Sequence, residues 1–85
     1  MKHATSTALD ELDGLIEDLR DVDGLDERSR GVFYRGPRAF LHFHEDPTGL
    51  YADARLDGSE FERMRVTTKA ERKKLLSRVR AAMRR

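Results

Sequence analysis

The centre of the chain alternates apolar and polar residues around two tight turns, and this pattern limits the fold more than any other feature. Segment 46–49 reads Asp-Pro-Thr-Gly, with Asp, Pro and Gly at the positions that a type I turn favours. A four-residue loop there places Glu45 opposite Leu50 and thereby fixes the pairing of all the preceding and following residues of the two strands. Because side chains alternate between the faces of a strand, the pairing also fixes which side chains share a face. Gly36 and Pro37 predict a second, two-residue hairpin loop. The two registers agree on which side chains share a face.

The remaining elements follow from their periodicity. Four strands are predicted: Val32–Arg35, Arg38–Glu45, Leu50–Leu56 and, with a weaker pattern, Phe61–Val66. Two helices are predicted from apolar stripes, over about Thr7–Asp21 and about Lys69–Met83, the second opened by a Thr68/Glu71 capping box. The polar stretch from Asp26 to Arg30 is predicted to be a loop.

These elements predict one α+β domain over residues 1–85, in the order α-β-β-β-(β)-α. The sheet would be an antiparallel meander with both helices packed on one face. Alternation assigns the helix-covered face to the following residues: Val32, Tyr34, Ala39, Leu41, Phe43, Leu50, Ala52, Ala54 and Leu56, with Met64 and Val66 on the same side. A chain of 85 residues leaves little room for a deep cavity, which favours a binding module over a self-contained enzyme.

The opposite face, called here the aromatic–Arg–His face, is the candidate binding surface. Its predicted members are Phe33, Arg35, Arg38, Phe40, His42, His44, Tyr51, Asp53 and Arg55. If the fourth strand keeps the same parity, Phe61, Arg63 and Arg65 join them. Rings interleaved with arginines suit single-stranded nucleic acid, because bases stack on rings and guanidinium groups pair with phosphates.

Three other interpretations of this face stay open. An apolar patch on an open sheet is also a dimer interface, so a homodimer or a protein partner is expected at least as strongly as nucleic acid. A helix on each side of the sheet would instead bury Phe33 and Phe40 as core. Arginines can also lie over rings within one monomer.

The alternative function is metal-dependent activity or metal binding by His42, His44 and Asp53. Residues two apart in a strand point to one side, so His42 and His44 can reach the same ion, and the register places Asp53 beside His42. The competing interpretation is a His42–Asp53 cross-strand pair that merely stabilises the hairpin and raises the pKa of His42. There is no cysteine, and no nucleophile–base pair or phosphate-binding glycine loop is recognised. No catalytic residue and no cofactor are therefore predicted.

The charge is strongly asymmetric along the chain. Residues 1–29 carry three Lys/Arg and nine Asp/Glu, whereas residues 69–85 carry eight Lys/Arg and one Glu. We expect the acidic and basic helices to lie side by side and neutralise each other; the alternative is that the basic helix binds a polyanion or an acidic partner. No signal peptide or membrane span is recognised, so a cytoplasmic protein without membrane association is expected.

The block from Gly36 to Arg55, with its Phe-Leu-His-Phe-His strand, is similar to small uncharacterised actinobacterial α+β proteins. It is also distantly similar to luciferase-domain proteins and to YjbR-like proteins. The resemblance covers about residues 22–80. It implies a small α+β fold and carries no activity or catalytic residue with it.

Overall fold

The computed structural model describes residues 1–84 as an α+β fold with a six-stranded antiparallel sheet and its helices on one face. The elements are β1 Lys2–His3, α1 Ser6–Glu11, α2 Asp13–Arg20, β2 Asp26–Ser29, β3 Val32–Arg35, β4 Arg38–Asp46, β5 Gly49–Ala54, β6 Glu62–Arg65 and α3 Lys69–Met83. Strands β2 to β6 are neighbours in chain order, and β1 pairs with β4. The predicted fold class is confirmed.

The predicted register of the central hairpin is also confirmed. Strands β4 and β5 pair Glu45 with Leu50 and Phe43 with Ala52, and the same register continues to Leu41 opposite Ala54. Strand β6 adds to β5 with Arg63 opposite Asp53, so the parity expected for the fourth strand holds. The side chains on this part of the sheet therefore lie on the faces that alternation predicts.

A β-bulge changes the faces at the next hairpin. Phe33 pairs with Leu41 while Tyr34 pairs with Ala39, so Phe40 is an extra residue in β4. Phe33 is fully buried and Phe40 is 2% exposed, and both belong to the hydrophobic core. Their assignment to the aromatic–Arg–His face was wrong, because the bulge lets two large rings leave water, at a gain of about 1.5–3 kcal/mol each.

The prediction for the helix-covered face is also wrong near the bulge. Val32, Tyr34 and Ala39 were expected to be covered by the helices but are only half-buried, and they lie outside the core cluster. The rest of the predicted core from Leu41 to Val66 is confirmed.

Two strands were not predicted. Segment 26–29 is strand β2, not a loop, because its backbone pairs with β3 although every side chain is polar. Glu27 anchors it by accepting hydrogen bonds from Arg20 and from the backbone N–H of Gly31. The second is β1, which pairs with the far end of β4.

The N-terminal helix is interrupted at Leu12, whose backbone departs from helical geometry (ψ 4°), so one predicted helix is two. The first part, α1, begins at Ser6, one residue before the predicted start at Thr7, and Thr5 is its N-cap. Helix α3 runs over Lys69–Met83 with the Thr68/Glu71 capping box in place, as predicted. Among residues 1–84, no helix is long and apolar enough to span a membrane.

The acidic and basic helices do not neutralise each other through ion pairs. Within the described part of the chain, Arg30 pairs with Asp10 and Arg20 with Glu17, both inside the N-terminal half. Within residues 1–84, helix α3 forms ion pairs only with β6, through Arg65–Glu71 and Arg78–Glu62. Helices α2 and α3 do lie against each other, as predicted. The prediction that they neutralise each other was wrong, because the ion pairs form within the N-terminal segment and between α3 and β6.

Candidate metal centre on the open sheet face

Three imidazoles meet on the sheet face that the helices leave uncovered. The ligand nitrogens of His3, His42 and His44 all lie within 4.8 Å of one another. The ring centroids are 4.7 Å apart for His42 and His44, and 5.0 Å apart for His3 and His44. These are all the histidines of the chain, and we call them the histidine cluster.

The cluster is assembled by strand pairing. His42 and His44 are two residues apart in β4, so they point to the same side. His3 arrives from β1, where it is the direct partner of His44. The N–H of Ala4 then donates to the carbonyl of Phe43 at 3.2 Å, which continues the pairing beyond β1.

Sequence reasoning found two members of this cluster and missed His3. A two-residue strand carries no periodicity, and its partner lies about forty residues away along the chain. No local signal in the sequence could therefore have placed His3 beside His44.

Three ring nitrogens of the cluster have no hydrogen-bond partner within the described structure: Nδ1 of His42 and both nitrogens of His44 are buried. A buried polar atom without a partner costs about 1–3 kcal/mol, so each such atom requires an explanation. Nε2 of His44 lies 3.1 Å from Oδ2 of Asp53, but this ion-pair contact lacks hydrogen-bond geometry. The cluster thus contains ring nitrogens whose lone pairs or N–H groups are not used in hydrogen bonds.

Asp53 is held by a different partner from the one predicted. Its two carboxylate oxygens accept hydrogen bonds from Nε and Nη2 of Arg63 at 2.8 and 2.9 Å. The register does place Asp53 opposite His42, but the close imidazole contact is with His44. Both oxygens of Asp53 are thus used by Arg63, and Asp53 lies beside His44 but outside the group of three side chains whose ligand atoms converge.

The electrostatics of His42 also differ from the expectation. Burial lowers its pKa, the neighbouring His44 lowers it further, and the opposing effect of Asp53 is smaller. Asp53 does raise the pKa of His42, as predicted, but burial and His44 outweigh it, so the expected net rise and the protonated form are not found. A lowered pKa keeps this imidazole neutral, which is the form that ligates metal ions.

Of the other members of the aromatic–Arg–His face, only some lie near the cluster. The ring of Phe61 meets His42 edge-on, with the ring centroids 4.9 Å apart. The guanidinium carbon of Arg55 lies 4.2 Å from the centroid of the Phe61 ring. Tyr51 bonds through its hydroxyl to Thr48 at 2.7 Å. Arg35 and Arg38 lie at the far end of the sheet, away from the histidines, where they line a separate cavity.

The Asp53–Arg63 pair predicts how stability depends on pH. The hydrogen bond from Arg63 is the main cause that holds the pKa of Asp53 below its usual value of 3.8. A carboxyl with a lowered folded-state pKa stabilises the fold above pH 3.8 and loses this contribution as the pH falls through the folded value. We expect Asp53→Asn to lower the free energy of unfolding at pH 7 and to cost progressively less towards pH 3, measured by urea unfolding. An equal cost at both pH values would show that the charge of Asp53 is irrelevant.

Comparison with known proteins finds no matching family model, no matching curated protein and no matching solved structure. The resemblance to small actinobacterial proteins stays a prediction. The interpretation of the site therefore depends on its own geometry.

Proposed function

We propose that this protein binds a divalent transition-metal ion of the zinc type through His3, His42 and His44. The observation that carries the proposal is the convergence of three imidazoles whose ligand nitrogens lie within 4.8 Å, with three ring nitrogens left unpartnered in a buried position. Imidazole nitrogen suits Zn²⁺, Cu²⁺ and Ni²⁺, whereas Mg²⁺ and Ca²⁺ prefer oxygen ligands. The ligand set replaces the predicted His42, His44 and Asp53.

The spacing requires a small closure of the rings on binding. Zn–N bonds of about 2.0–2.1 Å in a tetrahedron place ligand nitrogens roughly 3.3 Å apart, somewhat closer than the 4.8 Å limit seen here. His3 is exposed and lies on the short strand β1, so it can move towards the two imidazoles of β4. Three protein ligands leave a fourth position for water or another ligand.

A metal ion at this position would also stabilise the structure. It would link β1, which has two residues, to the nine-residue strand β4. A ligand that binds only the folded chain raises the free energy of unfolding by an amount set by its concentration relative to its Kd. The role supported here is metal binding, and no reaction is assigned to it.

Single-stranded nucleic acid has less support than metal binding. Of the four rings predicted on the binding face, Phe33 and Phe40 are core, which leaves Tyr51 and Phe61 as stacking surfaces. Self-association through the sheet face and a cytoplasmic location stay predictions. The hydrodynamic size of the protein, with and without metal, would test the first of these.

The test is calorimetric titration of the metal-free protein with Zn²⁺ near neutral pH, with Mg²⁺ as the comparison ion. We expect one Zn²⁺ per chain and no uptake of Mg²⁺. His3→Ala and His42→Ala should each weaken zinc binding by more than about 100-fold, because even loss of an outer-shell partner costs about 10–100-fold.

Lys2→Ala is the matched control, since Lys2 neighbours His3 on β1, is exposed, and carries no imidazole. It should bind zinc like the parent chain. Absence of zinc uptake by the parent protein, or equal weakening by Lys2→Ala and His3→Ala, would refute the proposal. Because the chain has no other histidine and no cysteine, residual tight binding in both histidine variants would also refute it.

A further inference from the structure

A second feature of the sheet lies at its opposite end, where β3 turns into β4. An open cavity of about 300 Å³ is lined by three arginines, Arg35, Arg38 and Arg55, together with Pro37, Ala39, Phe40 and Gly58. Among residues 1–84, no Asp or Glu side chain lines it. The cavity therefore combines arginine side chains with a mainly apolar lining.

The arginines are held in place by backbone carbonyls. Arg55 donates from Nε to the carbonyl of Ala39 at 2.8 Å and from Nη1 to that of Ser59 at 2.7 Å. Arg38 donates from Nη1 to the carbonyl of Gly58 at 3.0 Å. Within residues 1–84 neither Arg38 nor Arg55 has an acidic partner, so their positive charges are oriented without being neutralised.

The pairing of β3 with β4 brings further positive charge to the same place. Arg35 and Arg38 are direct partners in the register, so two arginines flank the turn between these strands. Guanidinium groups bind phosphate through paired N–H donors and are less strongly hydrated than ammonium groups.

The floor of the cavity adds an apolar requirement. Phe40 is 2% exposed and packs into the core from this position, while Pro37 and Ala39 complete the surface beside it. Ligand cavities of roughly 300–1,000 Å³ are typically apolar with a few polar groups that fix orientation. A bare inorganic ion would leave that apolar surface in contact with water.

The geometry points to a second binding site here, for a small organic phosphate in which the anionic group is attached to a flat apolar group. Its phosphate lies among Arg35, Arg38 and Arg55, and its apolar part lies over Pro37 and Ala39, beside the buried ring of Phe40. No histidine lines this site, although Arg55 also stacks on Phe61, whose ring meets His42. The site assigns a role to three members of the predicted aromatic–Arg–His face that the metal centre does not use.

Amide NMR titrations of the full chain with phenyl phosphate, inorganic phosphate and phenol at 0.15 M salt test this inference. We expect saturable shifts at Ala39 and Gly58 with phenyl phosphate, and affinity at least about tenfold weaker with phosphate or phenol alone. Equal affinity for phenyl phosphate and inorganic phosphate would overturn the apolar part of the site. Absence of shifts at Ala39 and Gly58 would overturn the site itself.

Arg38→Ala should weaken phenyl phosphate about tenfold or more, because it removes a charged hydrogen-bond donor. Arg38→Lys keeps the charge without the paired donors and should lie between Arg38→Ala and the parent chain. Arg30→Ala is the matched control, since Arg30 is an exposed arginine outside the cavity that pairs with Asp10. Equal weakening by Arg30→Ala and Arg38→Ala would mean that net charge alone attracts the ligand, and the inference would fail. Zinc binding should be unchanged in both variants.

Discussion

Replacing Phe33 by alanine is expected to lower the free energy of unfolding by about 3–5 kcal/mol, the usual cost of deleting a buried aromatic ring. Phe33 is fully buried and is among the largest side chains with no exposure in the described structure. The deletion leaves a cavity beneath β3, because neighbouring core residues can relax only partly. Urea unfolding monitored by circular dichroism would measure the loss.

Tyr34→Ala is the matched control, because Tyr34 follows Phe33 in β3 and is half-buried outside the core cluster. Its ring packs under the guanidinium of Arg28, whose centre lies 4.1 Å from the ring centroid. The loss should be clearly smaller, about 1–2 kcal/mol. If Phe33→Ala cost less than Tyr34→Ala, the simple alternation of β3 would be right and the bulge in β4 would be wrong.

Replacing Gly31 by alanine is expected to cost about 2–4 kcal/mol, from two sources. Gly31 has φ +75°, a left-handed conformation that disfavours any side chain. An added Cβ would lie 2.9 Å from Cδ2 of Leu9 and 3.3 Å from Cδ2 of Phe43. Helix α1 and strand β4 would have to move apart at the point where the β2–β3 turn meets them.

Gly36→Ala separates the two sources of this cost. Gly36 has φ +59°, and no atom lies within 4 Å of an added Cβ, so only the backbone strain of about 1–2 kcal/mol applies. The difference between the two variants in thermal or urea unfolding then measures the close packing at Gly31. Equal losses would show that the contact with Leu9 relaxes without cost.

How far the sequence predicts this fold can be judged from its two hairpins. The β4–β5 register is predictable because Asp46 and Gly49 specify a tight turn, and alternation then carries the pairing along the strands. The β3–β4 hairpin has an equally clear turn, yet its register shifts by one residue between Tyr34, which pairs with Ala39, and Phe33, which pairs with Leu41. The energy that decides this shift is the burial of Phe33 and Phe40, which depends on helices far away in sequence.

The candidate site divides in the same way. His42 and His44 share a side because they are two residues apart in one strand, and this holds whatever the rest of the fold does. His3 joins them only through β1, whose pairing links residues about forty positions apart. The third ligand of the proposed metal centre is thus a product of the tertiary structure.

By itself, the sequence determined the turns, the capping box of α3, the central register and the parity of neighbouring residues, because each depends on interactions within a few positions. Only the tertiary structure decided that Arg63 holds Asp53, that the bulge buries Phe33 and Phe40, and that β1 brings His3 to β4. These outcomes depend on competition between distant partners for burial and for hydrogen bonds. Local patterns carry no record of that competition.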